Sequence, residues 1–257
     1  MKKLLAILLT GLALSTSVSA QQFDTISFGV DGGYPPFDVL SPSGEITGFD
    51  IDIANALCDQ LKAKCVFVKQ PFESMIAALN AQKFDAIIAS LTITDARQKE
   101  VDFTDRYYRS SAQLVARKGS PLLPEASSLK GKTVGVQTGS IHEAYAKKHW
   151  GSQDVKIVSY ANQDNVYLDL MSGRINASLQ DNLQAASSFI DTPRGQKFAF
   201  AGPVIHDDSI SSDVGIAIRK DNPALRAALN GAIKAIRANG TYDAIQKKYF
   251  SFDIYGD

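Results

Sequence analysis

The residues of this 257-residue chain best equipped for chemistry are Arg97, the run Gly139-Ser140-Ile141, Asp181, and the hydroxyls of Ser90 and Thr92. A guanidinium at Arg97 can hold a carboxylate through two parallel charge-assisted hydrogen bonds, or pair with Glu100 or Asp102 on a charged helix. Gly139-Ser140-Ile141 ends a loop where a helix begins, so backbone N–H groups and the positive dipole end can meet an anion there. Ser140 can serve in the same place as an ordinary N-cap. Asp181 lies just past a strand, where open α/β sheets put their ligands. Ser90 and Thr92 close another strand, where a hydroxyl is either a ligand contact or a turn former.

Catalytic and metal motifs fail on inspection. His142, His149 and His206 form no metal-ligand spacing with Cys58 or Cys65. Gly131-Lys132-Thr133 looks like the end of a phosphate-binding loop, but the earlier glycine is replaced by Ala126. Neither a nucleophile elbow nor a dinucleotide fingerprint follows a strand. No metal and no cofactor are expected. Composition is that of an ordinary soluble globular protein, 45% hydrophobic and 21% charged. Lys2 and Lys3 aside, 25 basic residues face 27 acidic ones, too balanced for strong attraction to nucleic acid or an anionic membrane. A small ligand fits this balance better.

Elements able to position these residues follow from the pattern. Lys2 and Lys3, an apolar run over 4–14 and Ser17-Val18-Ser19-Ala20 have the layout of a secretory signal peptide cut after Ala20. That run is shorter than the roughly 20 residues needed to span a bilayer. Gln21 rather than a cysteine follows the cut, so the mature chain is expected free in a bacterial periplasm, not membrane-embedded. In that compartment Cys58 and Cys65 are expected to form a disulfide, the alternative being two buried thiols. Strands are expected at 26–30, 65–68, 85–90, 132–136 and 175–180, and helices at 51–62 (capped by Asp50), 72–80, 140–148, 165–172, 224–238 and 242–249. Tyr34-Pro35-Pro36-Phe37 must be a rigid turn. Leu79-Asn80-Ala81-Gln82-Lys83-Phe84-Asp85-Ala86 is echoed 91 positions later by Leu170-Met171-Ser172-Gly173-Arg174-Ile175-Asn176-Ala177, which favours two lobes of similar build. Residues 21–109 and 213–257 are expected to form one lobe and 110–212 the other, with hinge segments near 109–112 and 206–213.

Tyr34-Pro35-Pro36-Phe37, Gly48-Phe49-Asp50-Ile51-Asp52, the run from Ser90 through Thr92 to Arg97, and Gly240-Thr241-Tyr242 resemble the polar amino-acid-binding proteins of ABC importers (solute-binding protein family 3). The likeness is greatest to the branch that binds lysine, arginine, ornithine and histidine, and the Cys58 and Cys65 pair fits that branch. It covers essentially the whole mature chain. It implies an α/β, two-lobed periplasmic-binding-protein fold (type II), each lobe a mixed, largely parallel sheet flanked by helices, joined by a two-segment hinge.

The resemblance also implies roles. Arg97 and the N–H groups of Gly139, Ser140 and Ile141 would take an amino acid's carboxylate; Asp181, Ser90 and Thr92 would take its ammonium. Tyr34 and Phe72 would sandwich the side chain, and Asp31 would put a carboxylate at its far end, favouring a cation. Gln137 and His142 would line the distal slot, and Ala89 stands where relatives often carry Ser. The expected function is capture of a basic L-amino acid by lobe closure, as a monomer, for delivery to a membrane permease. The alternatives are an exported dehydratase-like enzyme using His142 or Asp181, and a ligand-presenting partner of a chemosensory receptor.

Overall fold

The structure, a computed structural model, describes residues 22–207 and 209–256; the signal peptide expected at 1–20 lies outside the described residues. The alternating patterns fold into two five-stranded sheets. One orders its strands Lys64–Lys69, Thr25–Val30, Ala86–Ile87, Ala217–Ile218 and Asp102–Phe103. The other orders Lys156–Tyr160, Thr133–Gln137, Ala177–Asp181, Ala112–Arg117 and Phe198–Phe200. In each, the first three strands run parallel and the remaining pairings are antiparallel.

Both sheets are therefore mixed and largely parallel: four of the five strands in each run the same way and the fourth in order is reversed. Each fourth strand arrives straight from the segments that cross between the sheets. It thus runs away from the cleft, against strands whose C-terminal ends point into it. The crossing segments pair with each other: Tyr108–Arg109 lies antiparallel to Asp213–Val214, and Arg109 Nε meets Asp213 Oδ1 at 2.7 Å.

Both faces of each sheet are buried, as helix-covered parallel strands require. Phe28, Phe37, Phe49, Tyr107 and Tyr242 pack on one face of the first sheet, and Met75, Leu79 and Phe84 on the other. Leu114, Val134 and Trp150 flank the second sheet on one side, with Val166, Tyr167 and Phe189 opposite. Cys58 and Cys65 form a disulfide, Cα atoms 5.9 Å apart, between helix Phe49–Leu61 and strand Lys64–Lys69. Among the described residues no helix is long and apolar enough to cross a membrane.

Three local expectations are corrected. Asp50 does not cap its helix: Gly48 takes that place, and Asp50 lies inside the first turn, buried. The helix expected at 72–80 opens as a 3₁₀ turn, Phe72–Ser74, before the α-helix Met75–Asn80, with the Ser74 hydroxyl bonding back to the Pro71 carbonyl. Only Ala86–Ile87 of the strand expected at 85–90 joins a ladder, because Ser90 turns into the left-handed region (φ 53).

Candidate functional site

Strand ends from both sheets converge on one closed cleft. It is lined by Asp31, Tyr34, Phe72, Ala89, Ser90, Thr92, Arg97, Gln137, Ser140, Ile141, His142, Gln163 and Asp181. Eleven of the twelve residues singled out in the sequence thus meet in one place. The twelfth, Gly139, lies outside in the mouth of the cleft. Its N–H donates to Glu143 Oε2 at 2.7 Å, and the Ser140 N–H is turned toward the Gln137 carbonyl at 3.3 Å. Of the N–H groups expected to face an anion at 139–141, the first two are thus taken up within the loop. Among the described residues, the N–H groups of Ile141 and His142 take no protein acceptor, in the first turn of helix Ile141–His149, which Ser140 caps.

The first sheet contributes Asp31 where strand Thr25–Val30 runs out. The turn behind it is held by Asp38, a fully buried carboxylate whose Oδ1 accepts the N–H groups of Gly32 (3.0 Å) and Tyr34 (3.2 Å). Burial raises the Asp31 pKa, opposed by hydrogen bonds from the Phe72 backbone and the Gln137 side chain and by Lys69. Arg97 is brought over the Phe72 ring, 5.8 Å from its centroid, by the short helix Asp95–Gln98, whose N-cap is Thr94. Its Nη1 donates to the Thr92 carbonyl at 2.8 Å. Burial lowers the guanidinium pKa to about 10, so it stays charged at neutral pH. No carboxylate of Glu100 or Asp102 is within ion-pair distance of it, so the surface-pair alternative falls away.

The second sheet contributes Gln137 and Asp181 at the ends of strands Thr133–Gln137 and Ala177–Asp181. Among the described residues, three hydrogen bonds cross the cleft. Tyr34 donates its hydroxyl to Asp181 Oδ2, Gln137 Nε2 reaches Asp31 Oδ2 at 3.5 Å, and Arg97 Nη2 donates to the Gly139 carbonyl at 3.2 Å. Burial and Asp181 hold the Tyr34 phenol far above its ordinary pKa, which keeps it a donor. His142 is 5% exposed, its Nε2 3.8 Å from Asp181 Oδ1 and without a hydrogen-bond partner. Burial lowers its pKa, with Asp181 and Arg97 acting in opposite senses, so the imidazole is neutral at pH 7.

Gly139 packs directly on the other side of the cleft: a Cβ there would stand 2.8 Å from Glu73 Cα, on a backbone with φ +76. Sequence reasoning missed Gln163, buried in the cleft wall and bonded to Ser178 Oγ and Gln180 Oε1. The glutamine begins helix Gln163–Ser172 behind the cap Asn162, and nothing in that local signal marks it as cleft-lining. Among the described residues, neither Asp31 nor Asp181 has a Lys or Arg within ion-pair distance.

With this geometry in hand, comparisons with known proteins agree from end to end. The lysine/arginine/ornithine-binding periplasmic protein of Escherichia coli (strain K12) is 46% identical over 258 residues, covering 100% of this chain and 99% of that protein. The histidine-binding periplasmic protein of Salmonella typhimurium is 42% identical over 259 residues, with 100% of both chains covered. An ancestral arginine-binding protein solved with arginine bound superposes with a TM-score of 0.82 at 34% identity, covering 90% of this chain and 100% of that one. Residues 26–252 match the family described as bacterial extracellular solute-binding proteins, family 3, and the chain belongs to that family.

Proposed function

We propose that this chain is a periplasmic binding protein that closes its lobes on a basic L-amino acid, arginine before ornithine, lysine and histidine, and delivers it to an ABC permease. The observation that carries this reading is the pair of buried carboxylates, Asp31 and Asp181, one from each sheet, without a Lys or Arg partner. A buried charge is costly unless paired, so the cleft calls for a ligand with two cationic ends. Support also comes from the names of the relatives, which bind basic amino acids and are named for binding rather than for catalysis.

In this reading residues 21–109 and 213–257 form one lobe and 110–212 the other. Arg97 and the N–H groups of Ile141 and His142 take the α-carboxylate. Asp181, Ser90 and Thr92 take the α-ammonium. Tyr34 and Phe72 flank the side chain, and Asp31 with Gln137 receives its cationic end. Contacts available only in the closed form shift the hinge equilibrium toward it.

The test is a thermal-shift panel of the twenty L-amino acids with ornithine, citrulline and octopine, on protein unfolded and refolded to strip carried-over ligand. Binding at a hundredfold excess over the dissociation constant stabilises by about 2.7 kcal/mol. Shifts confined to cationic compounds are expected; shifts from neutral or acidic compounds alone would refute the reading.

A further inference from the structure

Ser90 faces the cleft in a backbone conformation that residues with a side chain rarely adopt (φ 53). Asp50, forty positions earlier, holds it there. Asp50 Oδ2 accepts the Ser90 N–H at 2.8 Å and the Ser90 hydroxyl at 3.2 Å, while Oδ1 accepts the Tyr107 hydroxyl at 2.8 Å. The carboxylate is fully buried. Its charged and titratable neighbours are the phenols of Tyr107 and Tyr108 and the carboxylate of Asp38. Among the described residues no Lys or Arg pairs with it; the dipole of helix Phe49–Leu61, in whose first turn it lies, favours the negative charge.

An ionised carboxylate offers only lone pairs, so Ser90 Oγ must give its single proton to Asp50. What the hydroxyl then presents to the cleft is an acceptor and nothing else. We propose that Asp50 is a positioning residue for ligand binding: it fixes both the left-handed backbone and the hydroxyl polarity of Ser90, making Ser90 an acceptor for the ligand's ammonium. This inference rests on the reading that the cleft takes an amino acid. Protonated Asp50 carries a hydrogen of its own, and the one-way polarity of Ser90 is lost. Burial raises the Asp50 pKa to about 7, against the hydrogen bonds from Tyr107 and Ser90. The ammonium of a bound ligand favours the ionised form, so binding releases a proton near neutral pH.

Two measurements test this. In the ligand-free, isotope-labelled protein, the Ser90 amide resonance should titrate with the Asp50 carboxyl carbon, at one midpoint. It should stand still in Asp50→Asn. By calorimetry, the affinity for L-arginine should rise about tenfold from pH 6 to pH 8, the change in the ionised fraction of a group with a pKa near 7. Ser90→Ala, which keeps the carboxylate, should flatten that rise to less than twofold. A Ser90 amide that ignores Asp50, or a Ser90→Ala protein with the wild-type pH profile, would overturn the proposal. These readouts stand even where Asp50→Asn does not fold. If the wild type binds no cationic amino acid while Ser90 still follows Asp50, the ligand reading fails and the Asp50–Ser90 coupling is upheld.

Discussion

Strand Thr25–Val30 of the first sheet and strand Thr133–Gln137 of the second hold the same place in their sheets, and glycines mark the match. A Cβ at Gly29 would meet the Phe84 ring at 2.5 Å, and one at Gly135 would meet Ile175 Cδ1 at 2.5 Å. Phe84 and Ile175 are themselves 91 positions apart, the spacing of the sequence echo. The turns agree too. Gln82 and Gly173 both have positive φ, and the N–H groups of Lys83 and Arg174 return to the carbonyls of Ala78 and Asp169. At the cleft the two sheets part. One has Asp31 and Ser90 at its strand ends; the other has Gln137 and Asp181 in the matching places. The framework repeats because both sheets solve the same packing problem. In the proposed reading the charges do not repeat because a basic amino acid has two unlike cationic ends; across the cleft Asp31 faces Gln137 and Asp181 faces Tyr34, both neutral.

The comparison breaks most sharply at the charges. Asp181→Asn should weaken arginine binding at least about a hundredfold by calorimetry, since losing one partner of a buried charge pair costs about 2–5 kcal/mol. Asp31→Asn should cost arginine about 30-fold, within that same range, and leave citrulline nearly untouched, because only the distal charge is lost. At the framework, Gly29→Ala should destabilise by about 1–3 kcal/mol in denaturant melts, as overpacking does. Gly135→Ala should cost less, because its closest contact is the free end of Ile175, with Val166 at 3.0 Å and the Tyr160 ring at 3.2 Å, whereas at Gly29 three atoms of the Phe84 ring stand within 2.9 Å. Gly139→Ala should reduce affinity about tenfold, in addition to the roughly 1–2 kcal/mol by which a side chain at φ +76 destabilises the ligand-free protein. Scattering should show compaction by arginine lost, as the new Cβ would strike Glu73 on closure.

The smallest effect is on pH. Asp50 has a folded-state pKa raised by burial above its unfolded value. Its contribution to the stability of the ligand-free protein is therefore complete below the ordinary carboxylate pKa and is lost as pH rises through about 7. Urea midpoints of Asp50→Asn should lack that segment of the profile.

Much of this was legible in the sequence because it is local. Alternating apolar residues marked the strands, Ser140 sits at a helix start as a cap, and the Cys58 and Cys65 spacing suits one link. Motif matches brought Asp31, Arg97 and Asp181 into one site. What escaped is long-range. Asp50 opens its helix as a cap would, yet its partners are Ser90 and Tyr107, forty and more positions away. Asp38 carries no motif and still holds the Asp31 turn from behind. Gln163 reaches the cleft only because its helix packs on strand Ala177–Asp181. The occupied N–H of Gly139 depends on Glu143, a neighbour whose side chain folds back over the loop.

The claim that two separated carboxylates read two cationic ends is tested most directly by titrating ligand-stripped wild-type protein with L-arginine and L-citrulline in a calorimeter. The two ligands share length and shape, and differ in one distal charge. The account predicts that arginine binds at least about thirtyfold tighter, equal to about 2 kcal/mol of charge recognition at Asp31. Equal affinities, or a preference for citrulline, would contradict it.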